Sequence, residues 1–236
     1  DSLSSEIDRA WTLDNFRTLV ENEVYRNVTV RTVGVALAVT VIDVAIALPI
    51  AFYMAKVATP RVRRMLVVAV LTPLWASYLV KVFAWRVVLS EGGLLEWTGV
   101  PNPGYGLSAV VIAQAYIWLP YVILPIFAAL DRVPDSLLEA AGDLGAPTRT
   151  VVRTIVMPLL VPGIVAGAIF SFSLTLGDYI IPQIVGNSQF FIGQAVYSHQ
   201  GTAGNIPLAA AFTVVPIVVM GFYLWGAKRM GAFDAL

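Results

Sequence analysis

Apolar residues in this chain gather in long, nearly unbroken stretches separated by short polar segments. Five stretches, residues 28–57, 65–88, 107–130, 159–184 and 206–225, stand out. Each is long enough to carry a helix across a hydrocarbon core about 30 Å thick, which takes about 20 residues. The pattern predicts an all-α membrane protein with five visible spans. The connectors hold turn chemistry, as in Ala58-Thr59-Pro60, Glu91-Gly92-Gly93 and Pro101-Asn102-Pro103-Gly104. None is long enough for a separate domain, so the expected organisation is an external segment, 1–27, followed by a transmembrane domain, 28–236.

Composition supports the membrane reading and removes several chemistries. The 236 residues are 58% hydrophobic and 13% charged, with a mean hydropathy of +0.79. Soluble domains average about 45–50% apolar and about 25% charged. Fifteen basic residues balance fifteen acidic ones, so there is no basic excess for nucleic acid to bind. The chain has no cysteine, which excludes disulfides, thiol catalysis and Cys-ligated metals. Its single histidine, His199, excludes a multi-histidine metal site. A phosphate-binding loop is missing as well: residues 221–228 have the two glycines at the right spacing but place Ala227 where lysine is required.

Charge distribution sets an expected orientation, because basic residues flanking a span stay on the cytoplasmic side. Lys56, Arg61, Arg63, Arg64, Arg132, Arg149, Arg153, Lys228 and Arg229 all fall on one side of the five spans. The opposite segments hold Arg86 and the N-terminal Arg9, Arg17 and Arg26, which Asp1, Glu6, Asp8, Asp14, Glu21 and Glu23 offset. The C-terminus is therefore expected in the cytoplasm and the N-terminus outside. A chain that starts outside without an initiator Met suggests that an earlier transmembrane helix, or a cleaved signal peptide, precedes it.

The connector 131–158 is richer in helix signals than a passive loop needs to be. Pro134 precedes a capping-box pattern, Ser136-Leu137-Leu138-Glu139. The short helix it opens should run through Leu144 and end at Gly145, where a left-handed cap is easiest for glycine. A second helix restarts at Pro147 or Thr148 and passes Val151, Val152 and Ile155 towards Pro158.

On these residues the chain resembles a family. Glu139-Ala140-Ala141, three residues, Gly145, nine residues, then Ile155-Val156-Met157-Pro158 is similar to the EAA loop of ATP-binding cassette (ABC) importer permeases, with Met157 where leucine is usual. Thr12-Leu13-Asp14-Asn15-Phe16, Leu79-Val80-Lys81-Val82-Phe83-Ala84-Trp85 and Gly177-Asp178-Tyr179-Ile180-Ile181-Pro182 resemble the spermidine/putrescine branch. Lys81 stands where that branch usually has arginine, which keeps the charge but not the bidentate geometry.

The resemblance implies the type I ABC importer transmembrane fold, with five spans visible of an expected six and a cytoplasmic coupling helix. It implies a subunit of the inner membrane, working with a second permease subunit, two ATPase subunits and an external solute-binding protein. ATP and Mg would be held by the ATPases, with no cofactor on this chain. It also implies that Leu138, Glu139, Ala140, Ala141, Asp143, Leu144 and Gly145 face the ATPase. Small Ala140 and Ala141 suit a close approach, leucines 137, 138 and 144 suit anchoring, and Glu139 and Asp143 lie one turn apart for a basic partner. A solvated amphipathic loop is the plain alternative.

Asp43, Lys81 and Asp178 stand within apolar stretches, where charges are costly and face an interior, a cavity or a partner charge. Asp178, between Gly177 and Tyr179 and shortly before Pro182, suits a locally unwound pathway segment. Three readings of it stay open: a pause point for an ammonium, a packing pair with a charge such as Lys81, and exposure at the interface. Asp43, deeper in its span, suits helix packing or a subunit contact. Tyr179, Lys81, Trp85 and Tyr121 are path candidates with Asp178. Aromatics also belong to interface belts and to cores, and Trp85 and Trp97 suit an outer belt. Gly163, Gly167 and Ser171 recur every four residues and predict a small face for close helix packing. His199, in the segment 186–205, reads as an outer-loop surface residue with a lesser role for it in receptor contact.

Overall fold

The computed structural model describes residues 12–187, 190–201 and 203–229. Residues 1–11 of the expected external segment lie outside that set. The described regular structure is α1 (Asp14–Glu21), α2 (Glu23–Phe52), α3 (Pro60–Trp75), α4 (Tyr78–Val88), α5 (Leu94–Trp97), α6 (Leu107–Asp131), α7 (Asp135–Asp143), α8 (Thr148–Val151), α9 (Met157–Gly177), α10 (Ile180–Val185), α11 (Ile192–Gln200) and α12 (Ile206–Arg229). Two π-helical turns, Tyr53–Val57 and Val152–Val156, extend α2 and join α8 to α9. Four continuous helical segments are long and apolar enough to span a bilayer, and α3 with α4 makes a fifth if that bent pair is one span.

The expected spans are present, but three of their outlines change. The first begins at Glu23 rather than at residue 28, directly after α1. The second is broken: α3 and α4 meet at 95°, with Ala76 in extended conformation between them. Pro73 lies in the last turn of α3 and has no N–H to bond back, which weakens that turn. The fourth is longer at its start and broken near its end. Thr148–Gly177 is continuous, so the second loop helix and the span are one. It passes Pro158 because the preceding turn is wider: Met157 N–H bonds to the carbonyl of Val152, five residues back. The helix stops at Gly177 and resumes at Ile180, in agreement with the unwinding expected around Asp178.

Every long helix carries an internal proline: Pro49 in α2, Pro73 in α3, Pro120 and Pro125 in α6, Pro162 in α9 and Pro216 in α12. Membrane helices tolerate these because neighbouring groups and local adjustments satisfy the freed carbonyls.

The chain divides into two compact units. The first comprises Asp1–Ala38, Val82–Ala113 and Ser173–Phe222. Its core joins Leu19 of α1 and Val28 of α2 to Ile192 and Ala195 of α11 and Leu208 and Phe212 of α12. The buried Thr32 hydroxyl donates to the Val28 carbonyl at 2.8 Å and accepts from the Ile192 amide at 3.0 Å, which fixes the start of α11.

The second unit comprises Val39–Lys81, Gln114–Phe172 and Tyr223–Leu236. Its core stacks Ala47, Ala51 and Met54 against Val122, Ile126 and Leu130 of α6. In lipid there is little hydrophobic drive between helices, so close packing of small residues carries the association. The small face predicted at Gly163, Gly167 and Ser171 does this. A Cβ on Gly163 would fall 2.6 Å from the Ala129 Cβ, and one on Gly167 3.0 Å from the Val122 Cα. Helices α6 and α9 therefore meet backbone to backbone.

Candidate coupling and permeation sites

Helix α7 is set by its ends. Its N-cap is Pro134, held extended (φ −65°, ψ 132°) with no side-chain cap bond. The expected capping box does not form, because the helix opens at Asp135 and places Ser136 inside the first turn. Its C-terminus is as expected. Gly145 has φ +69°, its amide bonds to the Gly142 carbonyl at 2.8 Å, and Ala146 N–H reaches back to Ala141 at 3.0 Å. These two bonds make a Schellman ending, which requires a left-handed residue at Gly145.

The helix presents two faces. Ala141 is buried and Leu138 packs against the core of the second unit. Glu139, Ala140, Gly142, Asp143 and Gly145 are exposed. Leu137 is also exposed, and Leu144 at the tip is 87% exposed. Of the seven residues expected to meet a partner, Leu138 and Ala141 are therefore turned towards their own bundle. The others form an outward patch that is small, acidic and apolar at its tip.

Basic residues from the π-helical turn that ends α2 and from the first turn of α3 grip the approach to α7. Lys56 Nζ donates to the Val133 carbonyl and to Asp135 Oδ1, both at 2.7 Å. Arg63 pairs with Asp131 at 2.5 Å and lies 5.0 Å over the Phe127 ring. In the sequence Lys56 and Arg63 stand out only as orientation signals, because spacing alone does not reveal partners 68 to 79 residues away.

The ionisable residues of the spans separate. Asp43 is fully buried in the second unit and its Oδ2 accepts from Ser171 Oγ at 2.6 Å. Packing is thus its role within this chain, and a carboxylate so enclosed offers no surface to a second subunit. Lys81 and Trp85 are half-buried on α4. Arg31 of α2, which the sequence pattern does not single out, donates to the Phe190 carbonyl at 3.3 Å. Asp178 is 8% exposed, and its Oδ1 accepts from the amides of Ile180 at 3.0 Å and Ile181 at 3.4 Å. Its carboxylate therefore starts α10 after the break.

Around that break Tyr179 stacks on Tyr197 at 5.1 Å. A Cβ on Gly193 would meet the Tyr179 Cβ at 3.0 Å, so α11 closes directly on the unwound residues. In the second unit Tyr78, Trp118, Tyr121 and Phe170 form a continuous ring ladder with centroid spacings of 5.8, 6.1 and 6.4 Å. Tyr121 is an inner rung of this ladder, whereas Trp75 and Trp97 are 89% and 84% exposed, as belt residues are. His199 departs from expectation. It lies on α11, with Nε2 3.4 Å from the Tyr25 hydroxyl and its ring stacked on Phe212 at 5.8 Å. It is a packed residue rather than a loop residue, because the expected outer loop contains a helix whose inner face must be covered.

A bundle of proline-bearing apolar helices, with a short exposed helix ahead of the fourth span, is the architecture of an ABC importer permease of type I. The sequence agrees: residues 25–231 match the family described as binding-protein-dependent transport system inner membrane component, and the chain belongs to it. It is 43% identical to the inner membrane ABC transporter permease protein YdcU of Escherichia coli (strain K12), over 100% of this chain and 81% of that protein. It is 28% identical to the spermidine/putrescine transport system permease protein PotB of the same organism, over 96% of this chain and 86% of that one.

Among solved structures it resembles a bacterial alginate ABC transporter in complex with an alginate pentasaccharide-bound periplasmic protein. The TM-score is 0.74 at 17% identity, over 93% of this chain and 82% of that one. The inward-facing methionine transporter MetNI gives 0.70 at 17% identity, over 93% and 97%. These two likenesses concern the fold. The chain is thus a multi-pass inner-membrane permease subunit of an ABC importer, and ATP hydrolysis belongs to a separate subunit. Importer permeases of this class work with a partner permease, ATPases and a periplasmic binding protein.

Proposed function

We propose that this chain forms half of the translocation path of an importer for polyamines, coupled through α7 to its ATPases. The observation that carries the solute is the match to the spermidine/putrescine permease PotB over 96% of the chain. The chemistry at the break in the fourth span is compatible with it: the Tyr179 and Tyr197 rings, stacked beside Asp178, offer π faces and a carboxylate to an ammonium. Lys81 and Trp85 on α4, and Tyr121 on α6, complete the proposed path. Lys81 argues that the helices supply passage rather than a selective cage, leaving selection to the external receptor.

In this reading the C-terminus and α7 face the cytoplasm. ATP and Mg bind on the ATPases, and their closure pushes on the outward patch of Glu139, Ala140, Asp143, Leu144 and Gly145. The push rocks the spans from inward-open to outward-open so that the receptor can deliver its solute, and hydrolysis resets them. Uptake of labelled putrescine and spermidine tests the solute. Deletion of the subunit should abolish it, and Asp178→Asn should reduce it. Unchanged polyamine uptake in the deletion strain would overturn the proposal. The YdcU match, whose name specifies no solute, favours one second reading: the same machine carrying another small solute.

A further inference from the structure

Lys56 has a place in this mechanism that charge counting does not give it. Its ammonium is the point where two segments far apart in sequence are tied: the π-helical turn Tyr53–Val57 that ends the first span, and the residues that lead from α6 into α7. The side chain is only 12% exposed, whereas that of Asp135 is 76% exposed. The tie is therefore anchored from the bundle side, with the stem buried and the head reaching out. One bond goes to a backbone carbonyl, Val133, and the other to the first residue of α7, both at 2.7 Å, the short distance expected of charge-assisted bonds.

The surroundings make the tie stiff. Met54, two residues before Lys56, is fully buried against the same core as Leu130, and Leu138 of α7 packs on that core. Arg63 adds a second, half-exposed grip on Asp131, which solvent weakens.

We propose that Lys56 is a positioning residue that latches the start of α7 to the cytoplasmic end of the first span, so that a push on α7 moves that span with it. The proposal rests on the reading of α7 as the ATPase-docking helix. Without the latch α7 is held by Leu138, Ala141 and the Arg63 pair, and it can swivel on Pro134 without carrying the first span along.

The absence of native cysteine allows labels to be placed freely. Nitroxides at Val57→Cys and Ser136→Cys, both exposed positions, bracket the latch in the complete importer with its ATPases, in lipid nanodiscs. Double electron–electron resonance then reads their separation without nucleotide and with ATP trapped. The intact latch should give one narrow separation, the same in both states. Lys56→Met should broaden it and make it depend on nucleotide. It should also raise the ATP hydrolysed per putrescine imported by about threefold or more, the scale of a coupling residue that touches neither ligand.

Asp135→Asn, at an exposed site that keeps the Val133 bond, should fall between. Lys56→Arg should restore the narrow separation, and Arg61→Met, a charge loss at the nearby start of α3, should leave it narrow. A narrow, nucleotide-independent separation in Lys56→Met with the ATPase retained would overturn the latch alone. Failure of the unsubstituted chain to retain an ATPase would overturn the reading of α7 and the latch with it. Absence of putrescine import by the unsubstituted importer would overturn only the solute, since the separations do not depend on it.

Discussion

The two units solve the same problem, holding apolar helices together in lipid, with different materials. The second unit is drawn tight. Gly163 and Gly167 bring α9 onto the backbone of α6, Asp43 is closed off by Ser171, and Lys56 and Arg63 tie down the approach to α7. The first unit is articulated. Several of its helices, α1, α5, α10 and α11 among them, are short, and polar side chains such as Thr32, Asp178 and Gln194 stitch helix ends. The stiff unit carries the basic residues expected at the cytoplasm and the helix expected to receive force. The jointed unit carries the capped break at Asp178, the segment proposed above for the solute path. Close packing suits transmission, and capped breaks suit passage.

That contrast can be attacked at its strongest point first. Gly163→Leu should disrupt the second unit, since even a Cβ there falls 2.6 Å from Ala129. The expected loss is about 3 kcal/mol or more, read as reduced thermal stability in detergent. Gly221→Ala, with nothing within 4 Å of the added Cβ, should change it by no more than about 0.5 kcal/mol. Equal losses at both glycines would erase the distinction between a tight unit and a loose one.

A smaller effect separates capping from cation binding in the first unit. Asp178→Ala removes the acceptor for Ile180 and Ile181 and should cost about 1 kcal/mol, whereas Asp178→Asn keeps an acceptor and should cost a few tenths. Normal polyamine uptake in the Asn variant alongside a loss in Ala would assign Asp178 to capping alone. The smallest effect on stability is expected at the tip of α7. Leu144→Ser should leave the melting temperature unchanged, because the side chain is 87% exposed, while reducing the ATPase retained on co-purification. A stability loss there would mean that the tip already packs against its own chain.

Much of this was legible in the sequence, because lipid makes the hydrophobic pattern a strong constraint. The spans, the unwinding at Asp178, the left-handed Gly145 and the small face of α9 all follow from local rules about length, proline, glycine and spacing. What was hidden depends on partners distant in the chain or on competition between local rules. The bend at Ala76 lies inside a stretch apolar enough to read as one span, and Pro73, its one local sign, stands in a chain whose other long helices run on through their prolines. Pro158 looked like a boundary, but the π-helical turn before it carries the helix past. Ser136 had the spacing of a capping box, yet Pro134 opened the helix two residues too early for it. His199 and Lys56 each acquire their role from residues brought close by the fold, Tyr25 and Phe212 in one case, Val133 and Asp135 in the other.

The internal prolines carry one more consequence. At Pro49, Pro120, Pro125, Pro162 and Pro216 a rung of the hydrogen-bond ladder is left out for good, so flexing there breaks no bond that the resting helix had made. An elastic rod stores energy when it is bent and returns it on release, whereas a rod with a missing rung turns at that point at little cost. The long helices thus carry fixed points at which bending would cost least. Any stroke they make in transport would turn about the same points each time, since those points are written into the covalent chain.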